Sequence, residues 1–300
     1  MATLAFFKDI DEFRQNVKGW DASQPLSELY PSYQTAIREI ISLIGETTWN
    51  LLKEYHTTPS DPVDDKKASS VGFIQTALAN LIMYEHYIFL ASKRNNTDQS
   101  LYRYQYEEIK EKYQATAMAG LNSLLDLLDA NTAIFADYAL TSTYKDREDL
   151  IIRTYQEFEK YYGIDRSPYF FSKTVLLIRE ITDDEILPRI GKWDDVKDQI
   201  AIAEKVKRAL AYQTMALAME RFDFVTLPRS IRNQVANESS RTTRNAYSED
   251  AAKLKLAQLL KDKAAEYLTD IELEMRQPLS DDFEIPEDLN NESLGFYQIS

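Results

Sequence analysis

The 300-residue chain contains no cysteine, only seven glycines and only two histidines. The first absence excludes disulfides, thiolate metal sites and a cysteine nucleophile, and it fits an intracellular origin. Glycine this scarce leaves no room for a phosphate-cradling Gly-rich loop or a G-x-S-x-G elbow, and neither motif occurs. A di-iron helical bundle needs a Glu three positions before each of two histidines, but Lys53 precedes His56 and Met83 precedes His86. Long apolar runs are missing as well. The longest, Ala77 to Ala91, carries Glu85 and His86 and falls short of the roughly 20 residues a membrane span needs. Leu4-Ala5-Phe6-Phe7 is too short for a signal-peptide core. The chain therefore reads as a soluble protein without catalytic residues, cofactor or metal, and so not as an enzyme.

Strand-like alternation is scarce, whereas Ala, Leu, Glu and Lys recur at helical period, which gives an all-α reading. Hydrophobic content of 44 % is that of a globular chain. Net charge is −14, and six acids lie beyond Arg276; subtracting them leaves −8 on the body. An acidic body does not coat nucleic acid, which requires many neutralised phosphates, although DNA can slide past an acidic wall.

The most informative feature is a duplication. Glu39-Ile40-Ile41-Ser42-Leu43-Ile44-Gly45 returns 146 positions later as Glu185-Ile186-Leu187-Pro188-Arg189-Ile190-Gly191. Upstream, Asp9-Ile10-Asp11-Glu12-Phe13 faces Thr154-Tyr155-Gln156-Glu157-Phe158. Each is a capping box in which the acid is expected to reach back to the cap's own N–H. Downstream, Ala77-Leu78-Ala79 faces Ala209-Leu210-Ala211, with the offset reduced because the Thr57–Ser69 loop has only a short counterpart at Lys192-Trp193-Asp194. The last helices, Tyr102–Leu128 and Glu249–Met275, return to an offset near 145. A period of this size means two similar domains in tandem, not a solenoid. The expected boundaries are a first helical domain over 1–130, a connector over 131–149, a second domain over 150–276 and an extended acidic C-terminal arm over 277–300.

Periodicity places Ile74, Ala77, Leu78, Leu81, Ile82, Ile88 and Phe89 on the core stripe of the fourth helix. In the fifth, Tyr106, Ile109, Tyr113, Ala117, Leu121, Leu124, Leu125 and Leu128 repeat the pattern. At about 40 Å that helix is longer than a compact domain requires, so part of it projects or faces a neighbour. Tyr102, Tyr104, Tyr106 and Tyr113 suit either packing or a protein interface. His86 reads as a partly buried histidine on a core helix.

Two features stand outside the repeat. Between Phe224 and Ser248 lie Arg229, Arg232, Arg241 and Arg244 against the single acid Glu238, which reads as a loop, either merely solvated or in contact with phosphate or an acidic partner. The acidic arm ends in Phe296, Tyr297 and Ile299, the pattern of a docking anchor.

With the repeats laid out, the chain resembles the tandem-domain head-tail adaptor (connector) family of Bacteroides-type phages and prophages, including crAss-like phages. The resemblance rests on Asp9-x-x-Glu12-Phe13, the Glu39–Gly45 phrase, the Ala77-Leu78-Ala79 helix with Tyr84-Glu85, the Tyr102–Leu128 helix and their echoes, and it covers the chain up to Met275. It implies two adaptor-like helical domains in a non-enzymatic, usually dodecameric ring beneath the portal protein. Such a ring extends the DNA channel, passes DNA without sequence-specific binding, and offers a platform to the tail or further neck proteins. The implied location is the virion neck after synthesis in the host cytoplasm, with no membrane. The competing reading is a cellular or prophage helical scaffold or regulator that binds a protein partner.

Overall fold

The computed structural model of the chain describes residues 4–17, 20, 25–60, 62–95, 103–241 and 249–276. Every regular element among them is helical. Two similar helical domains follow one another, each with its own hydrophobic core.

In the first domain α1 (Ile10–Asn16) is followed by a 3₁₀ turn and by α2 (Tyr30–Ile44), α3 (Glu46–Thr57), α4 (Asp65–Asn95) and α5 (Arg103–Ala130). Short helices α6 (Ala136–Ala139) and α7 (Ser142–Lys145) lead across to the second domain. There α8 (Tyr155–Tyr161) corresponds to α1, and α9 (Pro168–Ile181) runs through a π-helical turn (Thr182–Ile186) into α10 (Leu187–Ile190). The rest is α11 (Trp193–Val196), α12 (Ile200–Arg221), a 3₁₀ turn (Phe224–Thr226), α13 (Arg229–Arg241) and α14 (Glu249–Met275). In each copy the central helix lies along the last one, α4 along α5 and α12 along α14.

The matched signatures take matched structures. Asp9 and Thr154 cap α1 and α8 by accepting from Glu12 N at 2.8 Å and Glu157 N at 3.2 Å. The acids do not bond the cap's own N–H as expected. Glu12 accepts from Lys8 N at 2.6 Å and Glu157 from Arg153 N at 3.2 Å, one residue earlier in both copies. Their second oxygens are taken by the central helix, Gln75 Nε2 at 2.8 Å in one copy and Lys207 Nζ at 2.7 Å in the other, and this pull accounts for the shift. The repeated phrase ends each time on a glycine with positive φ, +79° at Gly45 and +73° at Gly191, the backbone that L side chains avoid. The corners then differ. A Cβ on Gly45 would meet Thr141 Cγ2 at 2.7 Å, whereas at Gly191 nothing lies within 4 Å.

The expected core stripe of α4 holds from Ile74 to Ile82 and then fails: Ile88 and Phe89 are 57 % and 56 % exposed. Tyr87 and Leu90 are buried in their place. Tyr87 turns toward α5, with its ring 5.2 Å from Tyr106 and 5.8 Å from Tyr113, so Ile88 and Phe89 are left facing outward. His86 is buried, as its place on a core helix implies, beside Trp20. The Phe224–Ser248 stretch is not simply a loop, since Arg229–Arg241 forms α13. Ile231 and Val235, four residues apart, are buried beneath it and supply its helical period. The stretch over 131–149 packs closely, and its Phe135 and Tyr138 belong to the first core.

Candidate functional site: the seam between the repeats

Helix α5 explains its own length, because it serves both domains. One face carries Ala117, Leu121, Leu124 and Leu128 into the first core. Glu111, Gln114, Asn122, Asp126 and Asp129, also separated by helical steps, form a polar stripe. Four of these five meet the second domain directly.

At one end Glu111 Oε1 accepts from Arg232 Nη1 at 3.0 Å, and Gln114 Nε2 donates to Val225 O at 2.8 Å. Further along, Asn122 Oδ1 accepts from Ser167 Oγ at 2.9 Å and from Tyr169 N at 3.1 Å, the point where α9 begins. Ser167 also caps α9 by accepting from Phe170 N, and Pro168 gives up no useful donor in the first turn. Asp126 accepts from the Tyr155 hydroxyl. Burial and this carboxylate push the Tyr155 phenol up to about 12, so it remains a donor.

Contacts also reach the second domain from outside α5. Glu39, in the repeated phrase, accepts from Tyr169 Oη at 2.5 Å and lies 3.9 Å from Lys173 Nζ. Among the described residues Tyr169 is the one second-domain residue whose side chain is buried in the first core, and burial first, then Glu39, raises its phenol well above the ordinary value. Arg179 pairs with Asp146 at 3.3 Å. Beneath the crossing, Arg147 donates to both oxygens of Asp129 at 3.0 Å and to Tyr138 Oη at 2.8 Å.

The seam is polar and incompletely filled. A cavity of about 470 Å³ opens at the connector end, lined by Asp126, Asp129 and Arg147 on one side and Arg153, Thr154 and Gln156 on the other. Another, of about 510 Å³, opens at the far end between Tyr84, Glu107, Lys110 and Glu111 of the first domain and Asp223 and Glu249 of the second.

The sequence-predicted site residues divide accordingly. Arg229 is exposed at the start of α13, while Arg232 is spent on Glu111, its side chain only 14 % exposed. Within the chain, Arg232 is thus engaged in closing the seam. Arg241 ends α13, and Arg244, Phe296, Tyr297 and Ile299 lie outside the described residues, as does Tyr102. The polar stripe of α5 is signalled in the sequence by its helical steps, beside the more conspicuous apolar stripe. Among the described residues no group of three or more potential ligands could hold a metal ion, and no helix is long and apolar enough to cross a membrane.

The family described as "Family of unknown function (DUF6712)" matches twice, over residues 40–148 and 181–287, so each helical domain carries one copy of the family pattern. No curated protein and no solved structure matches the chain.

Proposed function

The chain belongs to the DUF6712 family, a family of unknown function, and we propose that it is a structural ring component of a phage neck, joining the portal to the tail and extending the DNA channel. The observation that carries this reading is the pairing of two similar domains whose outer surfaces differ. A closed ring is built from heterologous contacts, in which one face of a subunit meets a different face of the next. A duplicated domain supplies such faces once its copies diverge. The first copy presents Ile88 and Phe89 near the end of α4, whereas the second presents Leu254, Leu259 and Leu273 along α14. The corner glycines differ in the same sense, Gly45 covered by Thr141 and Gly191 open. The resemblance to tandem head-tail adaptors supports the reading from the side of sequence, and an acidic body suits a channel wall that must release DNA.

In this role the acidic arm docks on a neighbouring subunit through Phe296, Tyr297 and Ile299, and Arg229, Arg241 and Arg244 face DNA phosphate or an acidic partner. The decisive experiment mixes the purified chain with a portal protein from the same genome and images the product by electron microscopy. Rings seated on the portal are expected. A soluble complex of one or two copies with a non-virion protein, and no rings, would instead establish the helical scaffold or regulator. Removal of residues 277–300 should abolish seating, and Arg229→Glu combined with Arg241→Glu and Arg244→Glu should weaken it. Arg232 is left intact in that variant because of its place in the seam.

A further inference from the structure

We propose that the seam is a hinged joint: the second domain turns about the Tyr169–Asn122 end of α5, and the Arg232–Glu111 pair at the other end is the latch that holds it closed.

The two ends are held differently. At the Asn122 end a buried ring, Tyr169, enters the first core, and the covalent connector passes beside it. Parting the domains there would expose aromatic surface and leave the buried Arg147 cluster open to water. At the far end the Arg232–Glu111 ion pair and the Gln114–Val225 hydrogen bond join the domains. Glu111 lies eleven residues before Asn122 in α5, a lever of about 16 Å at 1.5 Å rise per residue. Apart from Tyr169, which sits at the pivot itself, each domain keeps its own core, so a turn about the Asn122 end breaks neither. Polar seams of this kind permit domain motion as their ordinary behaviour.

The latch is also poised. The cavity beside it gathers Glu107 and Glu111 from one domain and Asp223 and Glu249 from the other, with Lys110 as the opposing charge in its lining. Arg232 offsets this excess from within the seam, and without it carboxylates of the two domains repel across the gap. Yet Arg232 Nε is buried without a partner in the closed arrangement. An unsatisfied buried donor subtracts from what the ion pair contributes. Glu111, at 59 % side-chain exposure, is open to screening by salt. The closed state is therefore held by a contact that is geometrically sound but only modestly favoured, as a switchable joint requires.

Because the chain is free of cysteine, one engineered pair reports the joint without background. Lys112→Cys on α5 and Asn233→Cys on α13, both at exposed positions, carry spin labels whose separation is read by electron paramagnetic resonance. The otherwise unaltered chain is expected to give one closed distance. Adding Arg232→Glu should lengthen it by on the order of 5 Å, for a turn of about 20° over the 16 Å lever. The exchange of Arg232→Glu with Glu111→Arg should restore the closed distance. Hydrogen exchange across Leu121–Leu128 and Ala209–Met219 checks that both cores stay intact. If those cores keep their protection while Arg232→Glu leaves the distance unchanged, or if the exchange fails to restore it, the latch is wrong. Should Arg232→Glu unfold the second domain, Glu111→Gln gives the same reading: lengthening supports the joint and an unchanged distance overturns it. The measurement uses the isolated chain, so its outcome is independent of whether the chain forms rings.

Discussion

Arg147 is held inside the molecule by two hydrogen-bonding partners, Asp129 and Tyr138. Asp129 accepts from both its terminal nitrogens, and Tyr138 accepts from Arg147 while donating to Asp129 at 2.7 Å. Burial works against the guanidinium charge, and these two partners outweigh it. Loss of the carboxylate leaves a buried charge unpaired, so Asp129→Ala should cost about 3 kcal/mol, whereas Tyr138→Phe removes one hydroxyl and should cost about 1 kcal/mol. Urea denaturation measures both, and equal costs would mean that the carboxylate has no special part. His56 tests a different balance. It lies against Phe6, itself held at φ 67°, with ring centroids 5.9 Å apart, and 3.7 Å from Glu12. Burial lowers its pKa, Glu12 opposes this, and Lys8 adds to it. A folded-state pKa below the unfolded value means that the fold favours the neutral ring. That stability is present above about pH 6.5 and is lost as pH falls through the folded-state pKa. The melting temperature of the wild type should therefore fall more steeply between pH 7 and pH 5 than that of His56→Gln. Parallel curves would remove His56 from the account.

Among the helices, two glycines should respond to the same substitution with opposite sign. Gly120 sits where α5 crosses α4, and a Cβ there would meet Ala77 N at 2.9 Å and Phe73 O at 3.1 Å. Backbone cannot swing aside as a side chain can. Gly120→Ala should therefore destabilise by about 1–3 kcal/mol through overpacking, although helix propensity alone favours Ala by about 1 kcal/mol. Gly72 in α4 has nothing within 4 Å of such a Cβ, so there propensity acts unopposed and Gly72→Ala should stabilise by about 0.4–1 kcal/mol. Thermal denaturation of the pair decides it, and a stabilising Gly120→Ala would mean that the crossing can relax. The helices themselves were legible because capping boxes, apolar period and the repeated phrase agree in both copies. What was not legible depended on neighbours. The period of α4 cannot tell that its Tyr87 turns to α5 and strands Ile88 and Phe89. The π-helical turn before Pro188 arises where proline offers no N–H and crowds the carbonyl four residues earlier, so the Leu187 N–H reaches back to Thr182 O instead. Charge alone made the arginine stretch look like a loop, and only the burial of Ile231 and Val235 turns it into α13.

At the scale of the whole molecule, the duplication predicts two cores but not how they meet. The seam is written in side chains that are unremarkable one by one, and Glu39, Asn122 and Tyr169 acquire meaning only when α9 is laid across α5. Tyr169 gives this arrangement its sharpest consequence. It lies in the sequence of the second domain, yet its side chain is buried with the core of the first. Tyr169→Ala should accordingly destabilise the first domain, by about 3–5 kcal/mol if the vacated space does not collapse, and leave the second core nearly intact. The three tryptophans allow the two to be separated, since Trp20 and Trp49 are buried in the first core and Trp193 packs against the second. With Trp193→Phe as background, fluorescence follows the first domain, while hydrogen exchange across Ala209–Met219 follows the second. The added Tyr169→Ala should shift the fluorescence midpoint to lower urea concentration with protection of α12 retained. Were the fluorescence midpoint unmoved while α12 lost protection, Tyr169 would belong energetically to its own domain, and the turning point assigned to the seam would have to move elsewhere along α5.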